Sequence, residues 1–231
     1  MIRSGILMRK PTGRSMSMLE EKLKETTKTY DRILDAATEV IAVEGYSGAG
    51  VQEIIELANT SKGSFYFHFP SKEQMVFALV DRMSDKLIQR VRNSVKDEPS
   101  AVHRVAASIE VLMQTFANQR KVAQVLLLNI VGHGKATDKV FLPIRDRFSL
   151  MIQQELDTAM EMGQIGNIDK VLISQMWVGA LHEVILRWLL TGHPDPLTSA
   201  TAALRSALLR SIGVDPKSLD TNSVSRHPIN V

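Results

Sequence analysis

The residues best equipped for chemistry sit in one short stretch, SKGSFYFHFPSKE, residues 61–73. Lys62 and Lys72 supply cations, Ser64 a hydroxyl, Tyr66 a phenol and His68 an imidazole. Phe65, Phe67 and Phe69 alternate with them in a chain that is only 5% aromatic. This set has no nucleophile–base pairing and no metal spacing. It has groups that bind: cations and a hydroxyl for phosphates and base edges, and rings for apolar contact. Elsewhere the chain offers no alternative chemistry. It has no cysteine, which excludes disulfides, thiolate zinc sites and thiol nucleophiles and suits a reducing cytoplasm. It has no nucleophile elbow, no Glu-x-x-His pair and no phosphate loop. His103, His133 and His182 share no metal-ligand pattern, and His182-Glu183 point to different sides of a helix. No cofactor and no metal are expected.

The elements that position these residues follow from periodicity. Read locally, SFYFHF alternates like a strand. A strand needs a partner for its backbone groups, and the rest of the chain is helical in pattern. Ile33, Ala36, Ala37, Val40 and Ile41 keep helical spacing up to Gly45. Val51, Ile54, Ile55 and Ala58 repeat it briefly, and Val76, Leu79, Val80, Met83 and Leu87 make a longer stripe. Further helices are expected over 102–116, over 122–130 ended by Gly132-His133-Gly134, from near Pro143 to Gly163, over 170–191 and over 198–212. Pro143 is expected in a first helical turn. The fold class is therefore all-α, and the aromatic stretch is expected as a short helix. Ser61 is its N-cap, Pro70 limits it near His68, and Ser71 caps the next helix with Gln74 as partner.

A helix over 51–58, a three-residue turn at Asn59-Thr60-Ser61 and a second helix over 62–68 have helix-turn-helix spacing. Asn59 is expected in the left-handed conformation. Phe65 should face the first helix and Phe69 the core. Lys62, Ser64, Tyr66 and Phe67 then spread over the open sides, since so short a helix cannot bury its whole circumference.

Residues 30–73, through ILDAATEVIAVEGY and VQEIIELANTSKGSFYFHFPSKE, resemble the DNA-binding domain of TetR-type (tetracycline-repressor-like) transcriptional regulators. The resemblance implies an all-helical homodimer with an N-terminal DNA-binding domain and a larger ligand-binding domain. It implies base-edge contacts for Lys62, Ser64, Tyr66 and Phe67, with Gln52 reaching in from the preceding helix and Gly63 allowing close approach. It implies phosphate contacts for His68, Lys72 and Tyr30. Gly50 departs from the family's usual threonine and Asn59 from its usual glycine.

Four segments are expected: a basic arm over 1–26, partly disordered or extending the first helix; a DNA-binding domain over 27–73; a ligand-binding and dimerisation domain over 74–213; and a loose tail over 214–231. The formal charge is +3, but residues 1–19 carry Arg3, Arg9, Lys10 and Arg14 without an acid, so the body is near neutral. Such an arm can track phosphates or simply be solvated. Ser17 to Glu20 reads as a capping box, a possible helix start. No apolar run is long enough for a membrane span, and no secretory signal is visible.

The two late helices are more apolar than one layer needs, which marks a dimer face around Gly179, Ala180, Ala202, Ala203 and Ala207. Leu112, Met113, Phe116, Phe148, Met151 and Trp177 are the expected wall of a pocket for a mostly apolar small-molecule effector. The expected function is a repressor that binds a palindromic operator in double-stranded DNA and is released when effector binding tilts the helix starting at Lys72. The competing readings are an adaptor of the same fold without DNA binding and a helical-bundle enzyme.

Overall fold

Helical periodicity carries through to the backbone: in a computed structural model, which describes residues 13–127 and 135–220, helices dominate and no strand occurs among the described residues. Helix α1 (Gly13–Gly48) begins four residues before the Ser17 capping box, so Ser17 lies inside it. Spacings of three and four residues between Glu20 or Glu21 and Lys24, and between Glu25 and Lys28, favour this solvated extension. The described side chains of residues 17–28 are exposed, and the first buried one is Thr29. At Gly45 (φ 70°, ψ 174°) the helix kinks, a conformation that only glycine takes easily.

Helices α2 (Val51–Leu57) and α3 (Lys62–His68) form the expected helix-turn-helix. Asn59 adopts φ 47°, and the Thr60 N–H donates to the Ile55 carbonyl at 3.1 Å, closing the end of α2. Ser61 Oγ accepts from the Ser64 N–H at 3.0 Å. Phe69 leaves the helix in extended geometry, as the residue before a proline should. Ser71 Oγ accepts from the Gln74 N–H at 3.2 Å and starts α4 (Lys72–Val95). Ile33, Leu34, Ala37, Ile41, Ile54, Phe65, Met75 and Leu79 are all fully buried where these four helices meet.

Helix α4 continues into the larger half, formed with α5 (Ala101–Asn118), α6 (Arg120–Leu127), α7 (Lys135–Glu161), α8 (Lys170–Thr191) and α9 (Thr201–Ser211). Side-chain pairs fix the register. Arg147 bonds Asp81 and Asp85, and Arg92 bonds Gln154, so α4 and α7 run parallel. Glu155 meets Arg104 and Gln164, just beyond α7, meets Ser100 and Val102, while Gln153 meets Ser174 and Asp157 meets Lys170, so α5 and α8 run antiparallel to α7. The α8–α9 junction is closed by the Trp177 indole N–H, which donates to Ser211 Oγ at 3.0 Å.

Two expectations need correction. Pro143 lies inside α7, not in its first turn. Its missing N–H removes one helical bond, and burial of the next residue, Ile144, holds the helix against the core through that gap. The segment after Gly213 (φ 78°) is not all loose tail: Val214 is buried and a short helix α10 (Pro216–Asp220) packs Leu219 on the core. The Gly132-His133-Gly134 helix stop lies outside the described residues.

Candidate nucleic-acid interface and effector cavity

The short helix α3 buries one side only. Phe65 (0% exposed) and Phe69 (3%) anchor it, while Phe67 is 77% and Tyr66 45% exposed. Lys62 and Gly63 are exposed too, and Ser64 and His68 are half-buried. A Cβ built on Gly63 meets only Ser61 Oγ, at 3.9 Å, so the protein itself does not require glycine there. Tyr30 packs against the base of α3, with its ring 5.9 Å from His68 and 4.9 Å from Phe69. Desolvation pushes the His68 pKa down, so its imidazole is neutral near pH 7 and offers a phosphate one N–H. The Lys72 ammonium rests 4.7 Å above the Tyr46 ring, beside the positive N-terminus of α4, and burial lowers its pKa as well. Gln52 is exposed on α2, with its amide donating to Glu56 at 2.9 Å; a base contact would exchange that bond. All nine predicted DNA-facing residues thus belong to α1–α4, and the most exposed large ones lie on α3.

Helix α4 joins this surface to the rest. Arg82 reaches across to Asp31 (3.2 Å) and Asp35 (2.7 Å) of α1, so the two helices are clasped by one guanidinium. Arg147 of α7 bonds Asp81 and Asp85, both at 2.6 Å, on the neighbouring turns of α4. Lys121 of α6 pairs with Glu39 of α1.

Below the clasp, α4, α5, α6, α7 and α8 surround a cavity of about 570 Å³. Its wall is mostly apolar. Leu112, Phe116, Phe148, Met151 and Trp177 line it. Met113 does not: it is fully buried on an adjacent face of α5, because one residue turns a helix by about 100°. The sequence reading missed the polar wall residues Ser84, Arg92, Lys96, Arg104, Arg145 and Glu155. Only Arg104 among these cations pairs with a carboxylate within the described residues, meeting Glu155 at 2.8 Å. The wall therefore carries an excess of positive charge. A signal for Ser84 was available: it interrupts the apolar stripe Val76, Val80, Leu87 and Val91 at helical spacing. His182 also lines the cavity; burial first, then the Arg145 charge, hold its pKa below the ordinary histidine value. His103 lies outside the lining and His133 outside the described residues. No group of three or more metal-ligating side chains occurs among the described residues, and no described helix is long and apolar enough to cross a membrane.

On the outer side of α8 and α9, Leu172, Met176, Leu190, Ala202, Ala203 and Ala207 are exposed, Gly179 and Ala180 are half-buried, and a Cβ on Gly179 would meet open space.

Comparison with known proteins agrees with this architecture. Residues 33–79 match the family model described as bacterial regulatory proteins, tetR family. The fatty acid metabolism regulator protein of Bacillus subtilis (strain 168) is 24% identical over 191 residues, covering 82% of this chain and 98% of that one. The transcriptional regulator LmrA of the same organism is 36% identical over 67 residues, covering 29% of this chain and 36% of that one. The crystal structure of the transcriptional regulator FadR from Bacillus subtilis in complex with stearoyl-CoA superposes with a TM-score of 0.73 at 24% identity, over 79% of this chain and 99% of that one. With helix-turn-helix, fold and relatives in agreement, residues 33–79 form a DNA-binding domain of the tetR family of bacterial regulatory proteins, and the chain has the fold of the regulators it resembles.

Proposed function

We propose that this protein is a ligand-responsive transcriptional repressor. Two copies bind a near-palindromic operator in the cytoplasm, and an effector with a long apolar chain and an anionic group releases them. The observation that carries this reading is the double duty of α4. Its first half packs on α1 through Met75, Val76 and Leu79, in the same core that buries Phe65 of α3, and its second half walls the cavity through Ser84, Leu87 and Val91. A ligand that fits one tilt of α4 better than another shifts the protein between two spacings of α3. A few kcal/mol of differential affinity suffices.

In each half-site Lys62, Ser64, Tyr66 and Phe67 read base edges in the major groove, with Gln52 beside them and Gly63 allowing close approach. His68, Lys72 and Tyr30 hold the flanking phosphates. Dimerisation through the exposed faces of α8 and α9 brings Gly179 and Ala180 against their twins, with Ala202, Ala203 and Ala207 packing closely beside them. An apolar cavity of this volume suits a drug-sized or acyl ligand, and its excess of cations favours an anion. The stearoyl-CoA held by the Bacillus subtilis relative has both properties.

The test is fluorescence anisotropy on a duplex selected from a random pool. Tight binding that falls on adding a long-chain acyl thioester is expected. Absence of any salt-dependent DNA binding would favour the adaptor reading and overturn this one.

A further inference from the structure

The cavity wall contains one polar group that the protein leaves unsatisfied. Ser84 is 0% exposed, and its Oγ finds no hydrogen-bond partner among the described residues. A helical serine ordinarily returns its hydroxyl to the carbonyl one turn back, as Ser94 does to Arg90 at 2.9 Å on the same helix. Ser84 does not, and an orphan buried hydroxyl is costly unless something else fills the role.

The ion pairs locate it. Because Arg147 reaches Asp81 and Asp85, Ser84 lies level with the Arg145–Phe148 turn of α7. The Gln153–Ser174 and Asp157–Lys170 pairs set the antiparallel register that brings Arg145 level with His182 of α8. Hydroxyl, guanidinium and imidazole therefore gather towards one end of the cavity. The opposite end is marked by Glu155, ten residues further along α7, or roughly 15 Å away at 1.5 Å per residue. There the polar groups are largely engaged: Arg104 bonds Glu155 and the Glu98 carbonyl, and Arg92 bonds Gln154.

We propose that the Ser84–Arg145–His182 end is an acyl-head subsite. Ser84 Oγ donates to the carbonyl oxygen of an acyl group, Arg145 faces the anion attached to it, and the alkyl chain runs towards Glu155. This rests on the effector reading above and deepens it by naming the chemical group that is read and the residues that read it. Carboxylate and coenzyme A thioester share this chemistry, and the experiment separates them.

Dodecanoic acid, dodecanoyl-CoA and dodecanol are titrated into the full-length protein, with Trp177 in the cavity wall as the fluorescent reporter. Relative to wild type, Ser84→Ala and Arg145→Gln are each expected to lose about tenfold in affinity for the acid, the thioester or both, and about twofold or less for the alcohol. Whichever carbonyl probe loses more identifies the source. Ser84→Ala without ligand should unfold at the same temperature as wild type or higher, because the orphan is gone. Arg145→Gln is exposed and folds independently of that result. Equal losses on all three probes, no loss on any, or a lower unfolding temperature for Ser84→Ala would overturn the subsite. A Lys96→Gln variant that alone removes the acid–alcohol preference would place the head at the other end and overturn it too. If wild type binds none of the probes, the effector reading itself fails.

Discussion

Replacing two neighbouring aromatics of α3 should give opposite phenotypes. Phe67 keeps 77% of its surface in water. Truncating it to alanine loses burial of roughly a quarter of a ~200 Å² ring, about 1 kcal/mol at ~25 cal/mol per Å². Alanine's better helix propensity returns about 0.5 kcal/mol, so Phe67→Ala should change stability by less than about 1 kcal/mol. Phe65 is 0% exposed and packs against Phe69 at 6.0 Å between centroids. Its truncation opens a cavity and should cost about 3–5 kcal/mol. On DNA the order reverses. Covering about half of the exposed ring, roughly 75 Å², against thymine methyls is worth about 2 kcal/mol at ~25 cal/mol per Å², and a symmetric operator counts it twice, so Phe67→Ala should weaken specific binding by about 4 kcal/mol. Urea unfolding measures the first pair of values and operator anisotropy the second. A Phe67→Ala protein that is several kcal/mol less stable, or that binds its operator as wild type does, would refute the placement of α3.

Other outcomes follow from the same geometry. Gly63→Ala meets no obstruction in the protein, so urea unfolding should show stability unchanged or raised by up to about 1 kcal/mol, while operator affinity falls because the groove loses the space. Lys72→Ala should lower the salt slope of DNA binding by about 0.9 for each copy that touches a phosphate, measured by anisotropy between two salt concentrations. His182 has a folded pKa below its unfolded value, so the unfolded chain binds its proton first. Its contribution is intact above the unfolded pKa and is lost as pH falls from there through the folded pKa; urea midpoints should drop over that window, and His182→Gln should flatten the drop.

The helix-turn-helix was legible in the sequence because its signals are local. Ser61, Asn59, Pro70 and Ser71 act within four residues of the backbone groups they satisfy, and each sits where its spacing placed it. The cavity was half legible. Apolar wall residues announce a buried face but not which neighbour shares it, so Leu112 and Met113 looked alike and only one reaches the cavity. The cations were invisible for a related reason. Arg92, Lys96 and Arg145 read as solvated helix faces until the parallel packing of α4 and α7, set by pairs more than sixty residues apart, brought them to one wall. Pro143 misled because packing of Ile144 outweighs a proline's local preference.

The central claim is that Lys62–His68 stands clear of the body twice per dimer and enters the major groove at two points on one side of a duplex. Dimethyl sulfate footprinting of guanine N7, a major-groove atom, tests it most directly. Two protected patches, related by a two-fold axis and centred about one helical turn or a whole multiple of it apart, are predicted, both vanishing on addition of the acyl effector. A single patch, or binding that leaves every guanine N7 reactive, would contradict it.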